Sequence, residues 1–357
     1  MIKLDGSHNE GGGQIVRTAL ALSMITQQPF VIENIRQGRS KPGLKAQHLT
    51  CVNSLIKLTN NKAKVIGNEL GSERLMFCPA KIVKSKLDID IGTAGSIILL
   101  LQCLLPPLVF RERRTTLNII GGTDTKWSPT FDYLKEVIIP QLSKFAKIEL
   151  NLLKRGFYPK GQGEVEVKIN PYKLDNSSTI NLNYEVELVF VSGKSFASKD
   201  LMDAQVAERQ ATGAEQYLKQ YLNFQHVKIN SEYNDALSTG SGITLWAILG
   251  KKNMLTNETD QEFSQIPLRI GSDMLGERGK KAEVIGKEAA EKLINEIHEN
   301  VLVDVNLADN LIPYLGIVGG EFKTSVISNH TLTNIYTTEF FIKKKFKINK
   351  IEKIISI

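Results

Sequence analysis

Cysteine is scarce in this chain: three residues among 357, namely Cys51, Cys78 and Cys103. The number is odd, the surroundings are apolar and no two are spaced as CxxC. That excludes a disulfide framework and a structural zinc site, and it points to a reducing, cytoplasmic setting. Histidine is nearly as rare, with five residues and no HxH or HExxH pattern, so no histidine-built metal centre is expected. Long apolar runs are missing too. The longest, residues 97–110, is broken by Gln102 and Pro106-Pro107 and falls short of the ~20 residues that cross a bilayer. It reads as a buried helix, and no membrane association is expected. The first residues, Met1-Ile2-Lys3-Leu4-Asp5-Gly6, lack the apolar segment of a secretory leader, so the mature chain is expected to start at residue 1.

What is present describes an ordinary packed protein: 42% hydrophobic and 23% charged residues, with only 27 glycines and 11 prolines. At 357 residues the chain exceeds the size at which one core keeps growing, which excludes a minimal binding module and predicts more than one domain. Short β-branched runs at 30–35, 87–91, 116–120 and 165–169 alternate with helical patterns, so the expected class is α/β, with α+β layering. A glycine-bearing loop opens an apolar helix at 11–24 and again at 92–105, and a related helix covers 306–318. Three similar units are therefore expected. Between the second and third the character changes, with polar stretches such as 256–262 and an amphipathic helix over 199–221. Residues 184–281 read as an inserted smaller domain, with 1–183 and 282–357 forming the large one and a helix over 284–299 rejoining it.

The 45 basic and 38 acidic side chains leave a net charge of +7, a mild tilt toward a polyanionic partner such as a nucleic acid or nucleotide. Part of the excess lies in a strand-like stretch, Phe340-Phe341-Ile342-Lys343-Lys344-Lys345-Phe346-Lys347-Ile348. Lysine mixed with apolar residues there suits a solvated sheet edge guarded against aggregation better than an RNA-binding stripe.

Several loops carry candidate chemistry. In Asp5-Gly6-Ser7-His8-Asn9-Glu10-Gly11-Gly12-Gly13-Gln14-Ile15-Val16-Arg17, three glycines directly precede a helix, and bare N–H groups at a positive helix end accept phosphate. Glu10 could hold a divalent metal, and Arg17 could reach a phosphate oxygen. A plain glycine turn with Glu10 in solvent fits equally well, because the segment matches neither the dinucleotide nor the P-loop pattern. A second loop, Arg36-Gln37-Gly38-Arg39-Ser40-Lys41-Pro42-Gly43-Leu44-Lys45-Ala46-Gln47-His48, displays four cations, of which Arg36 and Arg39 suit bidentate phosphate recognition best. The loops Gly92-Thr93-Ala94-Gly95-Ser96, Gly121-Gly122-Thr123-Asp124 and Arg155-Gly156-Phe157-Tyr158-Pro159-Lys160-Gly161-Gln162-Gly163 repeat the theme; each alone is more often a turn than a site. His330 sits in Ser328-Asn329-His330-Thr331-Leu332-Thr333-Asn334-Ile335, after a strand-like stretch at 321–327. Small hydroxyl and amide neighbours could orient its imidazole as base, ligand or nucleophile. A lone histidine is nevertheless more often structural.

Taken together, these segments resemble the RNA 3'-terminal phosphate cyclases. The matches comprise the Glu10–Gln14 loop with Arg17, the Arg39-Ser40-Lys41-Pro42-Gly43 loop, Gly92–Ser96 with Gln102, Gly121–Asp124, Arg155–Pro159, Leu307-Ala308-Asp309 and the segment His330–Ile335. They run in order along nearly the whole chain and are thinnest across 184–281. The resemblance implies an ATP-dependent enzyme that converts a 3'-terminal phosphate on RNA to a 2',3'-cyclic phosphodiester. In that family a histidine takes AMP from ATP as a phosphoramidate, passes it to the RNA 3'-phosphate, and the 2'-hydroxyl then displaces AMP as the ring closes. His330 matches the nucleophile. Arg17, Arg39 and Gln47 match positions near the phosphates, and Glu10 matches the position that can hold Mg2+ or Mn2+. Gln102, Pro129 and Asn306-Leu307-Ala308-Asp309-Asn310 match positions lining the adenosine pocket. The implied fold is a large domain of three βαβαββ repeats with an inserted smaller α/β domain; a homodimer is compatible with it.

Two residues depart from the family pattern: Gln162 stands where a third glycine is usual, and Asn310 where glutamine is common in bacterial members. Neither touches the expected nucleophile. Two rival readings differ in class. A catalytically inactive cyclase-like factor of ribosomal RNA processing would lack the histidine, whereas His330 is present with Glu10 and Arg17. An enolpyruvyl transferase shares similar repeats and anionic substrates but lacks the His330 context.

Overall fold

The computed structural model describes residues 1–9, 11–175, 178–250 and 268–357; Glu10 and the polar stretch 256–262 lie outside the described residues. The first unit runs β1 (Ile2–Asp5), α1 (Gln14–Thr26), β2 (Phe30–Glu33), α2 (Ala46–Leu58), β3 (Lys64–Ile66) and β4 (Leu75–Cys78), with sheet order β1-β2-β4-β3. Its first two strands are parallel and its other pairs antiparallel. The second unit repeats this as β5 (Lys86–Asp90), α3 (Ile97–Val109), β6 (Thr115–Gly121), a composite helix, β7 (Ala146–Lys154) and β8 (Gly163–Pro171), ordered β5-β6-β8-β7. The composite helix is α4 (Phe131–Tyr133), a π turn (Leu134–Ile138) and α5 (Ile139–Gln141). A third unit opens with β9 (Ile180–Leu182) and then breaks off.

A fourth sheet interrupts it: β10 (Glu187–Ser198), α6 (Val206–Leu222), β11 (Val227–Asn234), β12 (Ser241–Gly250), β13 (Arg269–Leu275) and α7 (Ala282–His298), with strand order β11-β10-β12-β13. The third unit resumes at α8 (Val305–Val318), followed by β14 (Gly320–Lys323), α9 (Asn329–Ile342), β15 (Lys347–Asn349) and β16 (Ile354–Ser356). It closes the sheet β9-β14-β16-β15, again with the first pair parallel and the rest antiparallel. The α/β layering and the βαβαββ unit, built three times, are thus present in the backbone itself. Among the described residues no helix is long and apolar enough to cross a membrane, and the three cysteines are free thiols.

The apolar run at 97–110 is the helix α3, capped by Ser96, whose Oγ accepts from Leu99 N at 3.1 Å. Nearly all of it is buried, the Pro106-Pro107 pair included, because α1, α2 and α8 surround it. In β12 every residue is buried, since α6 and α7 cover one face and α4 meets the other.

Three expectations change. The helix expected over 284–299 to rejoin the large unit is α7, and it stays with the fourth sheet. A Cβ at Gly286 would stand 1.9 Å from the carbonyl oxygen of Gln210 in α6, and one at Gly213 would stand 2.5 Å from that of Glu283, so only glycines allow the two helices to lie so close. The Lys-rich stretch at 340–348 is mostly not a strand: α9 continues to Ile342, stops where Lys343 turns left-handed at φ 56, and a short edge strand begins only at Lys347. The strand-like stretch expected at 321–327 ends as β14 at Lys323, and the segment containing His330 that follows it is the first turn of α9.

Candidate active site

The first helices of the three units, α1, α3 and α8, come together, and α9 lies against α1 and α8. Where α1 and α9 begin, their N-terminal ends meet. Ser328 caps α9, its Oγ accepting from Thr331 N at 3.0 Å, which leaves His330 on the first turn and exposed to solvent. There His330 Nδ1 lies 2.6 Å from Gln14 Oε1, while Gln14 Nε2 donates to the His330 carbonyl at 3.3 Å. The second bond fixes which end of the Gln14 amide is oxygen. Because that oxygen can only accept, Nδ1 carries the hydrogen and the lone pair of the neutral ring sits on Nε2.

The glycine loop before α1 is shaped by what lies beneath it. Gly11 holds φ 52. A Cβ at Gly13 would stand 2.0 Å from Nε2 of His48, so the backbone can pass there only without a side chain. His48 is buried on the first turn of α2, and its Nδ1 accepts from Lys45 N at 3.0 Å. Burial foremost, then Arg17, Arg36 and Lys45, pull its pKa down to about 3, so the ring is neutral and carries its hydrogen on Nε2. That Nε2 makes no hydrogen bond among the described residues.

Cations gather over this loop. The Arg39 guanidinium reaches Gly12, 3.7 Å from where a Cβ would be. Arg36 is lowered from its ordinary value by burial and then by Arg39, and Lys45 by burial and then by Arg36 and Lys41. Arg17 is buried in α1; burial pulls its guanidinium down, and its Nε finds no acceptor among the described residues. Like charges crowded this way raise the local potential and favour an anion. Gln47, also on the first turn of α2, faces the second glycine loop, its Cβ 3.6 Å from where Gly95 would carry one.

Beside this cationic end lies a cleft lined by Gln14, Arg17 and Thr18 of α1, Gln102 and Leu105 of α3, Leu134 and Ile138 of the π turn, Asp309, Asn310, Pro313 and Tyr314 of α8, and Asn334 of α9. One wall is apolar. On the other, Gln102 Nε2 donates to Asn310 Oδ1 at 3.0 Å, so Asn310 reaches its partner without the longer side chain of glutamine. Asn334 fastens the three helices: its Nδ2 donates to the Asp309 carbonyl at 2.6 Å, and its Oδ1 accepts from Thr18 at 2.7 Å.

Of the residues singled out in the sequence, Arg17, Gln102, Asp309 and Asn310 line the cleft, and His330 and Arg39 stand at its cationic end. Asn306 is exposed on the first turn of α8, with its carbonyl accepting from Asn310. Leu307 and Ala308 are fully buried in the core. Pro129 precedes Thr130, the cap of α4, and is not among the residues that line the cleft. Glu10 is outside the described residues. Sequence reasoning gave no role to Gln14, Thr18, His48 or Asn334. Asn334 lies four residues after His330, a spacing that shares a helix face and becomes informative only once the segment is known to be helical.

The remaining glycine loops make a different structure. Arg155 is wholly buried and binds Asp124 at 2.8 Å, Glu232 at 2.9 Å and Asp132, with its guanidinium 3.8 Å from the Phe196 ring. Lys194 adds contacts to Asp132 and Glu232 at 3.3 and 3.5 Å. This network ties the second unit to the fourth sheet.

Comparison with known proteins gives the family. The family model described as RNA 3'-terminal phosphate cyclase matches residues 8–348. The chain is 42% identical over 350 residues to the RNA 3'-terminal phosphate cyclase of Pyrococcus abyssi, covering 98% of this chain and 95% of that protein. It is 42% identical over 360 residues to that of Methanococcoides burtonii, covering 100% and 99%, and 40% identical over 356 residues to that of Archaeoglobus fulgidus, covering 98% and 99%. With nearly its whole length matched in this way, the chain belongs to the RNA 3'-terminal phosphate cyclase family.

Proposed function

We propose that the protein is an RNA 3'-terminal phosphate cyclase that uses ATP, with His330 as the residue that carries AMP. The observation that supports this most is the His330–Gln14 pair, which holds Nδ1–H inward and puts the nucleophilic lone pair on Nε2 at the meeting of two helix N-termini. In the first step Nε2 attacks the α-phosphorus of ATP, an N–P bond forms and the P–O bond to pyrophosphate breaks. An oxygen of the RNA 3'-phosphate then displaces the histidine, whose lone pair returns to Nε2. Finally the 2'-hydroxyl, losing its proton, attacks the activated 3'-phosphorus and AMP departs. Adenylation is chemically necessary because a phosphate monoester offers its own 2'-hydroxyl no good leaving group; once it is activated, closure is intramolecular and gains from proximity.

The chain's residues suit these roles. The lining of the cleft has the mix that suits an adenosine, with apolar Leu105, Pro313 and Tyr314 on one side and polar Gln102 and Asn310 on the other. Arg17, whose buried Nε finds no acceptor among the described residues, suits an anion; Arg39 adds a second guanidinium and Gln47 a neutral amide beside it. Glu10, the residue expected to hold Mg2+ or Mn2+, lies outside the described residues; a divalent cation held there would neutralise charge on the phosphates.

The test is covalent labelling. Incubation with α-labelled ATP should leave acid-labile AMP on the wild-type protein and none on His330→Asn; a wild type that never takes up label, or a variant that labels equally, sinks the reading. Protection of a 3'-phosphorylated oligonucleotide from phosphatase then separates cyclisation from adenylation alone.

A further inference from the structure

Two aromatic rings on the glycine loops of the second unit stand in solvent. Trp127 is 94% exposed and Tyr158 74%, and Trp127 holds φ 63, a conformation costly for any residue with a side chain. Their loops are nonetheless firmly held and paired with each other. Asp124 forms an isolated bridge with Phe157, Thr123 N donates to the Gly156 carbonyl at 2.9 Å, and Asp124 is locked by Arg155. Phe157 is buried under Gly240, where a Cβ would stand 2.3 Å from its ring. On the inner side of the first loop Ser128 Oγ lies 2.6 Å from Ser96 Oγ. Ser96 in turn follows Gly95, the glycine that Gln47 faces. A continuous path of contacts therefore leads from the cationic end of the cleft to the exposed indole.

We infer that Trp127 and Tyr158 form a stacking platform for the bases of the single strand upstream of the reacting 3' end. That the strand is RNA rests on the cyclase reading above. Rigid loops that present ring faces to water keep the entropic cost of binding low. Bases stack on such faces without regard to sequence, as a terminal-phosphate enzyme acting on varied RNAs requires. Lys126 and Lys160, both exposed, flank the rings with positive charge for the backbone, although Lys126 is shared with Glu277 at 3.7 Å. The interspersed lysines suit a nucleic-acid strand better than an apolar protein surface.

The chain has two tryptophans, and the other, Trp246, is buried, so fluorescence quenching reports on Trp127 directly. Titration of wild type with a 3'-phosphorylated ten-nucleotide RNA should quench emission, and a nucleoside 3'-phosphate should not. By anisotropy of a labelled copy of the same RNA, Trp127→Ala and Tyr158→Ala should each bind about tenfold more weakly, the scale of one base–aromatic stack. Trp127→Phe should bind like wild type, and AMP labelling by ATP should persist in all three variants. Absence of quenching, unchanged affinity in the alanine variants, or equal loss toward the mononucleotide overturns the platform. So does a fall in oligomeric mass in Trp127→Ala, which would make the rings a contact between copies of the chain. If wild type quenches with RNA but never takes AMP from ATP, the platform stands and the cyclase reading falls.

Discussion

Two buried arginines divide this molecule into regions of opposite character. Arg155 sits among Asp124, Asp132 and Glu232; burial alone would lower its pKa, yet these carboxylates outweigh that and raise it. Arg17 is as deeply buried, but burial dominates there and lowers it, and its Nε has no acceptor among the described residues. Both residues belong to segments that read alike in the sequence, glycine beside charge. One region is electrostatically closed and serves the fold. The other is electrostatically open, as the proposed site for a triphosphate and an RNA phosphate requires.

The largest effect should separate the two regions by activity. Arg17→Ala is expected to cut the rate of AMP labelling by about 10^2- to 10^3-fold, as removal of one preorganised transition-state donor does. Its melting temperature should fall less than that of Arg155→Ala, as calorimetry would show. Arg155→Ala should do the reverse, losing about 3–5 kcal/mol because Asp124 and Asp132 stay buried without their arginine and only Lys194 remains, near Asp132 and Glu232, while the folded fraction still labels. Equal behaviour of the two variants in either assay would erase the distinction.

The same contrast extends to acids and predicts a pH dependence. Asp132 is held below the usual carboxylate range: burial raises it, but Arg155 and Lys194 together outweigh that. Glu296, near Asp304 and without such a cation, is pushed up from 4.5 to about 7, by burial first and Asp304 second. A carboxyl raised in the folded state binds more protons there than when unfolded between those values, so its contribution to stability is greatest below pH 4.5 and is lost as pH rises toward 7. Glu296→Gln should therefore be more stable than wild type at pH 8, by roughly 1–3 kcal/mol, with the gain vanishing near pH 4.5 in urea titrations at both values. A gain that does not depend on pH would assign the effect to packing instead.

The smallest effect concerns the closed region's rim. Gln162, standing where the family usually has glycine, holds φ 58. Gln162→Gly should relieve the left-handed conformation and raise stability by up to about 1 kcal/mol, offset in part by the flexibility glycine adds to the unfolded chain. Chemical denaturation would read it, with AMP labelling unchanged.

Much of the fold was legible. The alternation of β-branched runs with apolar helices gave the layered class, and glycine loops ahead of helices at 11–24 and 92–105 marked the repetition that β1-β2-β4-β3 and β5-β6-β8-β7 make explicit. Less legible was where the third unit resumes, because α7 has an ordinary amphipathic face and only its glycine-mediated approach to α6 shows which layer it joins. The lysine-rich segment 340–348 misled because alternating lysine and apolar residues satisfy a strand pattern, while packing against α1 carries α9 on to Ile342. In the site, residue types announced His330, Arg17 and Arg39. Leu307 and Ala308 carry no polar atom to reveal which way they face, and their burial in the core follows from the rotation of α8.

By itself the sequence determined the kinds of chemistry on hand and the periodicities that make strands and helices, because these depend on side-chain type and local spacing. Only the tertiary structure decided that Gln14 would orient His330, that Asn334 would fasten α1, α8 and α9, and that Arg155 would be closed off while Arg17 stayed open. Those outcomes depend on contacts between residues hundreds of positions apart, and on burial, which sets whether a charge meets protein partners or waits for a ligand.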